Sequence, residues 1–202
     1  MVGRSWKFWS IFFESKDRIN QKHYQAWQVI NSAQGKGGSG GRIDALQELH
    51  ADGVPLVGVD VSGAFLQDID LSQANLLRAN FRAADVRGAN LNGAQMQYVD
   101  LASANFRNAN LRNADLRNAP LQDADLTGAN LSEADLGGAN LAKVDLRDSD
   151  FRNTKWQKME SIKLVNIFGI KDAPTGFLDR AIQKGAISTE SDAEWQALLA
   201  RE

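Results

Sequence analysis

Carboxylates recur through the middle of the chain, among them Asp100, Asp115, Asp125 and Asp135. Carboxylate pairs are the groups that exchange protons in acid–base catalysis or share a hard cation. Arginines recur as well, at Arg87, Arg107, Arg112, Arg117 and Arg147, and a basic ridge of that kind could meet phosphate or an acidic protein. The two histidines, His23 and His50, have no nucleophile or ligand cluster beside them, so each reads as a helix-surface residue. The absence of cysteine removes a thiol nucleophile, a thiolate metal site and a disulfide framework. The run "QGKGGSGGR", Gln34 to Arg42, lacks the Lys followed by Ser or Thr that closes a phosphate loop, and no strand precedes it. It reads as a flexible linker.

The carboxylates belong to a period. Stepping by five through Leu111 gives nineteen apolar centres from Val61 to Phe151. Two residues before each centre stands Ala in fourteen units, and Asp or Asn stands between the two in sixteen of nineteen. Five fits neither the 3.6 of a helix nor the 2 of a strand. Within a unit, however, the small and large residues are two apart, the strand spacing that sends both side chains to one face. The remaining positions are rich in Gly, Asn, Asp and Ser, which tolerate tight turns. Each unit is thus a very short strand followed by a turn, and a chain that turns every five residues coils into a solenoid. A turn-forming, backbone-capping role explains all the recurring carboxylates together.

The units "ADLRN", "ANLSE" and "ADLGG" resemble the pentapeptide-repeat proteins, whose pattern is a small residue, Asp or Asn, Leu or Phe, and two variable positions. The resemblance implies a right-handed quadrilateral (square) β-helix with four units per coil and about five coils. At about 4.8 Å between strands the stack would stand on the order of 24 Å tall. The stretch from Tyr24 to Val54 also resembles a helical leader found ahead of some bacterial pentapeptide arrays.

In a twenty-residue register Asp115 faces Asp135 and Asp125 faces Asp145. Arg87, Arg107 and Arg147 share one side with Thr127 between them, Arg112 and Arg152 share the next, and Arg107, Arg112 and Arg117 form a partial girdle. Asp68, Asp123 and Asp148 are interspersed and no aromatics interleave for base stacking. The expectation is a mixed-charge face with no nucleic-acid partner. Pro120 removes one backbone donor from the ladder.

The organisation expected is an N-terminal amphipathic helical segment over 1–33, a linker over 34–42, a cap helix over 43–53, the β-helix over 54–157, and a C-terminal cap with two short helices over 158–202. Ile43, Leu46 and Leu49 lie at helical spacing before Gly53; Phe177, Leu178, Ala181 and Ile182 share a face before Gly185. Ser191 and Glu194 form a capping-box pair ahead of Trp195, Leu198 and Leu199. In the first segment Trp6, Phe8, Trp9, Phe12, Phe13, Ile19, Tyr24, Trp27 and Ile30 fall in one stripe with Arg4, Lys7, Arg18 and Lys22 opposite. Such a helix lies in a membrane interface, binds a partner groove, folds back on its own chain or pairs with a second copy.

A net charge of -2 gives no overall drive toward DNA or basic partners. The first residues lack a signal-peptide cleavage site and no run spans a membrane, so the expected location is cytoplasmic, with membrane association through the N-terminal helix. The pattern points to a non-enzymatic interaction or scaffold protein with no cofactor, an unidentified protein partner, and a homodimer contact offered by the first helix or by Trp195, Leu198 and Leu199. The alternative is the DNA-mimic, topoisomerase-interacting role of quinolone-resistance relatives. The thirteen acidic and ten basic residues from Leu56 to Trp156, a net of -3 (13 against 10), speak against it.

Overall fold

A computed structural model describes residues 3–32 and 40–201, with side chains from residue 16 onward. Four helices flank a long stretch without regular strands: α1 (Gly3–Ser32), α2 (Arg42–Ala51), α3 (Phe177–Gln183) and α4 (Asp192–Leu199). Between α2 and α3 the chain pairs with itself through single-residue parallel bridges. Asp60 pairs with Asn80, Asn80 with Asp100, Asn90 with Asn110 and Asp115 with Asp135, each twenty residues on. Bridges recur every five residues, so each coil has four sides.

Every position of the five-residue unit has a physical task. The centres Leu66, Leu91, Leu111, Leu131 and Phe106 are fully buried, and the preceding alanines, such as Ala89 and Ala109, lie inside with them. The Asp or Asn between them faces out, and its Oδ1 accepts from the backbone N–H two residues on: Arg82 N–H to Asn80 (3.0 Å), Thr127 N–H to Asp125 (3.0 Å), Gly137 N–H to Asp135 (3.0 Å). The second residue after each centre adopts a left-handed backbone, for example Asn108 at φ 58° and Asn113 at φ 57°. That costs about 1–2 kcal/mol for most residue types, and it explains the Gly and Asn there. Coil-to-coil hydrogen bonds such as Leu111 N–H to Asn130 O (2.8 Å) and Asn130 N–H to Ala109 O (2.9 Å) satisfy the backbone. At Pro120 the ladder is one-sided: its carbonyl accepts from Leu101 N–H (2.8 Å), but it has no N–H to offer.

The ladder runs past 157, the boundary expected from the repeat. Asp135 pairs with Lys155 at twenty residues, but Asn140 pairs with Ser161, Asp145 with Asn166, Asp150 with Lys171 and Asn166 with Ile187 at twenty-one. One extra residue is taken up between Lys155 and Ser161, and a second between Asn166 and Ile187, which breaks the sequence period while the coil continues.

At the N-terminal end, Leu46 and Leu49 of α2 are fully buried and join the core of the coils. Arg42, placed by composition in the linker, is instead the first residue of α2 and fully buried, and burial pushes its guanidinium pKa down. The last turns of α1 lie against α2 through buried Ala26 and Ile30, with Trp27 and Val29 partly buried. Lys22 bridges to Asp52 (3.0 Å) and Glu48 (3.5 Å), and His23 Nε2 meets Asp52 at 2.9 Å. The apolar stripe is not buried along its length, since Ile19 and Tyr24 are exposed. Lys16 through Lys22 are exposed on every side of the helix. No helix among the described residues is long and apolar enough to cross a membrane.

At the other end, Phe177 packs against Phe151 (ring centroids 4.7 Å) and edge-on against Trp156 (5.4 Å). Of the four apolar residues given one face by the sequence, Phe177 and Ala181 are buried while Leu178 and Ile182 are exposed. A seven-residue helix has room for only one buried stripe, and here it is narrower than the sequence suggested. Ser191 caps α4 by accepting from Glu194 N–H (3.2 Å). The Glu194 carboxylate accepts from the Thr189 hydroxyl (2.5 Å), and Thr189 in turn accepts from Ser191 N–H (3.2 Å). The box therefore closes through Thr189.

Candidate interaction surface

With the apolar positions turned inward, the outward side chains are the two turn residues of each unit and the Asp or Asn on each bridge. Stacking at twenty residues lines Arg87, Arg107, Thr127 and Arg147 along one edge, as backbone bonds from Gly88 to Arg107, Asn108 to Thr127 and Gly128 to Arg147 show. The arginines do not form a free basic ridge. Arg107 reaches down one coil to Asp125 (3.3 Å) and Arg112 to Glu133 (2.9 Å), as Arg82 does to Asp100 (3.0 Å) and Arg152 to Asp172 (2.7 Å). These exposed pairs contribute little stability, about 0–1 kcal/mol each; their effect is to neutralise and orient the surface.

Three arginines make a tighter unit. In "DVR" at 85–87, "DLR" at 115–117 and "DLR" at 145–147 the guanidinium folds back over the carboxylate two residues earlier. Arg87 donates Nε to Asp85 Oδ1 (2.8 Å) and Nη2 to Oδ2 (2.7 Å); Arg117 does the same to Asp115 (2.8 and 2.6 Å). This bidentate geometry is the strong form of the pair. The hydrogen bonds from Arg87 hold Asp85 below the usual carboxylate range. At Asp115 burial works the other way, and the bonds from Arg117 outweigh it, so its pKa is also lowered. Gln67 and Gln97 each complete a fork by donating to the same carboxylate (2.5 and 2.6 Å).

The third fork is occupied. Arg147 binds Asp145 (Nη2 to Oδ2, 2.5 Å), and α4 covers the pair: Arg147 Nη1 donates to Glu190 O (2.9 Å), Nη2 meets Asp192, and the Trp195 ring lies 5.8 Å from the guanidinium carbon. Trp195 Nε1 donates to Leu164 O (3.3 Å). The Arg147 side chain keeps 13% of its surface and Asp145 4%, against 51% for Arg87. Bonds to Asp145 lead the causes that raise the Arg147 pKa. Arg147, expected at the surface, is thus withdrawn under α4, and Trp195, offered as a dimer contact, is spent inside its own chain.

Arg87, Arg107, Arg112 and Arg117 do lie at the surface as expected, although each is paired. The N-terminal aromatics Trp6, Phe8, Trp9, Phe12 and Phe13 belong to α1, and their side chains lie outside the described residues. The period did not single out the forks or the exposed aromatics Phe65 and Tyr98. The D-x-R spacing was the available signal for the first. For the second it was Phe65 standing where the unit expects Asp or Asn. Among the described residues no group of His, Asp and Glu is placed to hold a metal ion.

A chain that pairs with itself every twenty residues around an apolar centre is a four-sided repeat solenoid. The family model for pentapeptide repeats matches residues 56–93, 94–132 and 120–155, eight copies in all. The chain belongs to the pentapeptide-repeat family, whose members fold as right-handed quadrilateral β-helices. Among solved structures it is similar to a pentapeptide repeat protein from the thylakoid lumen of Arabidopsis thaliana, at 26% identity over 73% of this chain and 89% of that one, with a TM-score of 0.40. It is also similar to Rfr23 from a Cyanothece cyanobacterium (23% identity, 71% and 97%, TM-score 0.40). A third is QnrB1, a plasmid-mediated fluoroquinolone resistance protein (18%, 71% and 81%, TM-score 0.32). A search of curated proteins finds no match.

Proposed function

We propose that the protein is a non-enzymatic interaction scaffold. It presents a rigid repeat surface, closed by α2 at one end and by α3 at the other with α4 along one edge, and its aromatic N-terminal helix tethers it to a partner or a membrane surface. One observation carries this reading: from Asp60 to Lys155 the inward positions are used for packing, while among the outward ones Arg82, Arg87, Arg107, Arg112, Arg117 and Arg152 are already held in ion pairs on a repeating ladder. Fixed side chains on a rigid frame cost little entropy when a partner docks.

The tether is supported by the solvent-exposed residues of α1 from Lys16 to Gln21 and by two Trp and three Phe among residues 6–13, with Arg4 before them and Lys7 between them. The test is capture of partners, and flotation with anionic vesicles, by the full chain against Trp6→Ser/Trp9→Ser/Phe13→Ser. Substitution is preferred to truncation because the end of α1 covers α2. Loss of capture or flotation in the triple variant supports the tether, and equal behaviour of the two proteins removes it. The DNA-mimic alternative finds less support, since carboxylates and arginines alternate along the array in place of a continuous acidic face.

A further inference from the structure

The array repeats the site on which α4 sits. Sixty residues before Asp145 and Arg147, three twenty-residue coils back along the same edge, stand Asp85 and Arg87 in the same bidentate fork. The Leu164 carbonyl that accepts from Trp195 belongs to a left-handed turn residue of the following coil (φ 58°). The corresponding turn residue below Arg87 is Ser103 (φ 60°), which is exposed and whose carbonyl accepts no backbone N–H. Arg87 spends Nε and Nη2 on Asp85, leaving Nη1 unused, the atom with which Arg147 holds Glu190.

The surroundings differ in a consistent direction. The groove beside α4 is lined by Asp123, Asp125 and Lys143. Sixty residues earlier these are Gly63, Phe65 and Ala83, and Phe65 is a bridge partner of Asp85 with 48% of its surface exposed. The second site keeps the polar anchors and exchanges charge for apolar surface, which strengthens contact with a Trp or Leu side chain.

Resting on the scaffold reading above, we propose that the face formed by Phe65, Ala83, Asp85, Arg87 and the Ser103 carbonyl binds a short helix from a partner protein. That helix has an acidic first turn and a tryptophan one turn later, the pattern Asp192 and Trp195 show in α4. The acid meets the Arg87 guanidinium, the indole stacks on it and donates to Ser103 O, and the next apolar residue covers Phe65.

The test uses the full chain and a labelled peptide with the sequence of residues 190–201, ESDAEWQALLAR, titrated by fluorescence anisotropy. Saturable binding is expected, weakened at least tenfold by Arg87→Glu and severalfold by Phe65→Ser, and unchanged by Arg112→Gln on another side. Both altered side chains are exposed, and circular dichroism checks that each variant folds; Arg87→Gln gives a milder second reading. No saturation at millimolar peptide overturns the proposal. So does binding that survives Arg87→Glu, which would mean exchange with α4 at Arg147. A concentration-dependent dimer abolished by Arg87→Glu would give the face to a second copy and overturn it likewise. Partners captured from extract and retained by Arg87→Glu would refute this site while leaving the scaffold reading intact.

Discussion

Arg87 and Arg147 offer a controlled comparison, because the same fork occurs once in the open and once under a helix. Arg147→Ala leaves the Asp145 carboxylate, 4% exposed, without its guanidinium. Removing one partner of a buried pair costs about 3–5 kcal/mol. Here the loss is nearer 2–3 kcal/mol, because the backbone N–H of residue 147 still donates to Asp145 Oδ1 (3.1 Å). Loss of the guanidinium beneath Trp195 adds about 0.5–1 kcal/mol, for a total of about 3 kcal/mol. Arg87→Ala opens a fork whose guanidinium is already half in solvent, so its unfolding midpoint should fall far less than that of Arg147→Ala. The assay is urea unfolding followed by far-UV circular dichroism, with hydrogen exchange of the amides of residues 192–199 reporting α4 separately, since a solenoid can unfold from one end. Arg147→Ala should lower the midpoint and release the α4 amides to exchange first. Equal midpoints for the two variants would refute the claim that α4 buries and uses its fork.

Three further outcomes follow from the same geometry. Pro120→Asn restores an N–H opposite the Val99 carbonyl and an Asx acceptor for the next turn. It gains about 1 kcal/mol less about 0.5 kcal/mol for the lost stiffness of proline in the unfolded chain, so the urea midpoint should rise slightly; a fall contradicts the ladder assignment. Asp70, Asp85 and Asp115 have folded pKa values held below the ordinary carboxylate value by hydrogen bonds. Their contribution is therefore present above the unfolded value of about 3.9 and lost as pH falls through the lower folded values. Melting temperature should be flat from pH 7 to about pH 5 and drop below about pH 4, and a rise in acid would contradict this sign. In a gyrase supercoiling assay with and without a quinolone the protein should neither inhibit nor protect; either effect would revive the DNA-mimic reading.

The array was legible because its period is local: each unit repeats one choice of small residue, Asx and large apolar residue, and each choice has one structural use. The Asx positions show this well, since the backbone N–H bonds accepted by Asn80, Asp125 and Asp135 account for residues that resemble a row of catalytic acids. Departures from the period were harder to read. The residue added between Lys155 and Ser161 erases the pattern in sequence while the bridges continue to Ile187. Arg42 lies in a glycine-rich run by composition yet is buried as the first residue of α2, and Leu178 and Ile182 were counted on a face that a two-turn helix cannot fully bury. The occupied fork at Arg147 depends on a contact forty-five residues away, with Asp192. No spacing rule reports a contact of that kind, although the identical D-x-R triplets at 85–87 and 145–147 were open to comparison.

Cross-linking mass spectrometry on the full chain in native cell extract bears most directly on the central claim. The scaffold account predicts inter-protein links from lysines on the array, such as Lys143 and Lys155, and from Lys7 or Lys16 on α1, to one recurrent partner. Links confined to this chain alone, with no second protein attached to the array or to α1, would contradict it.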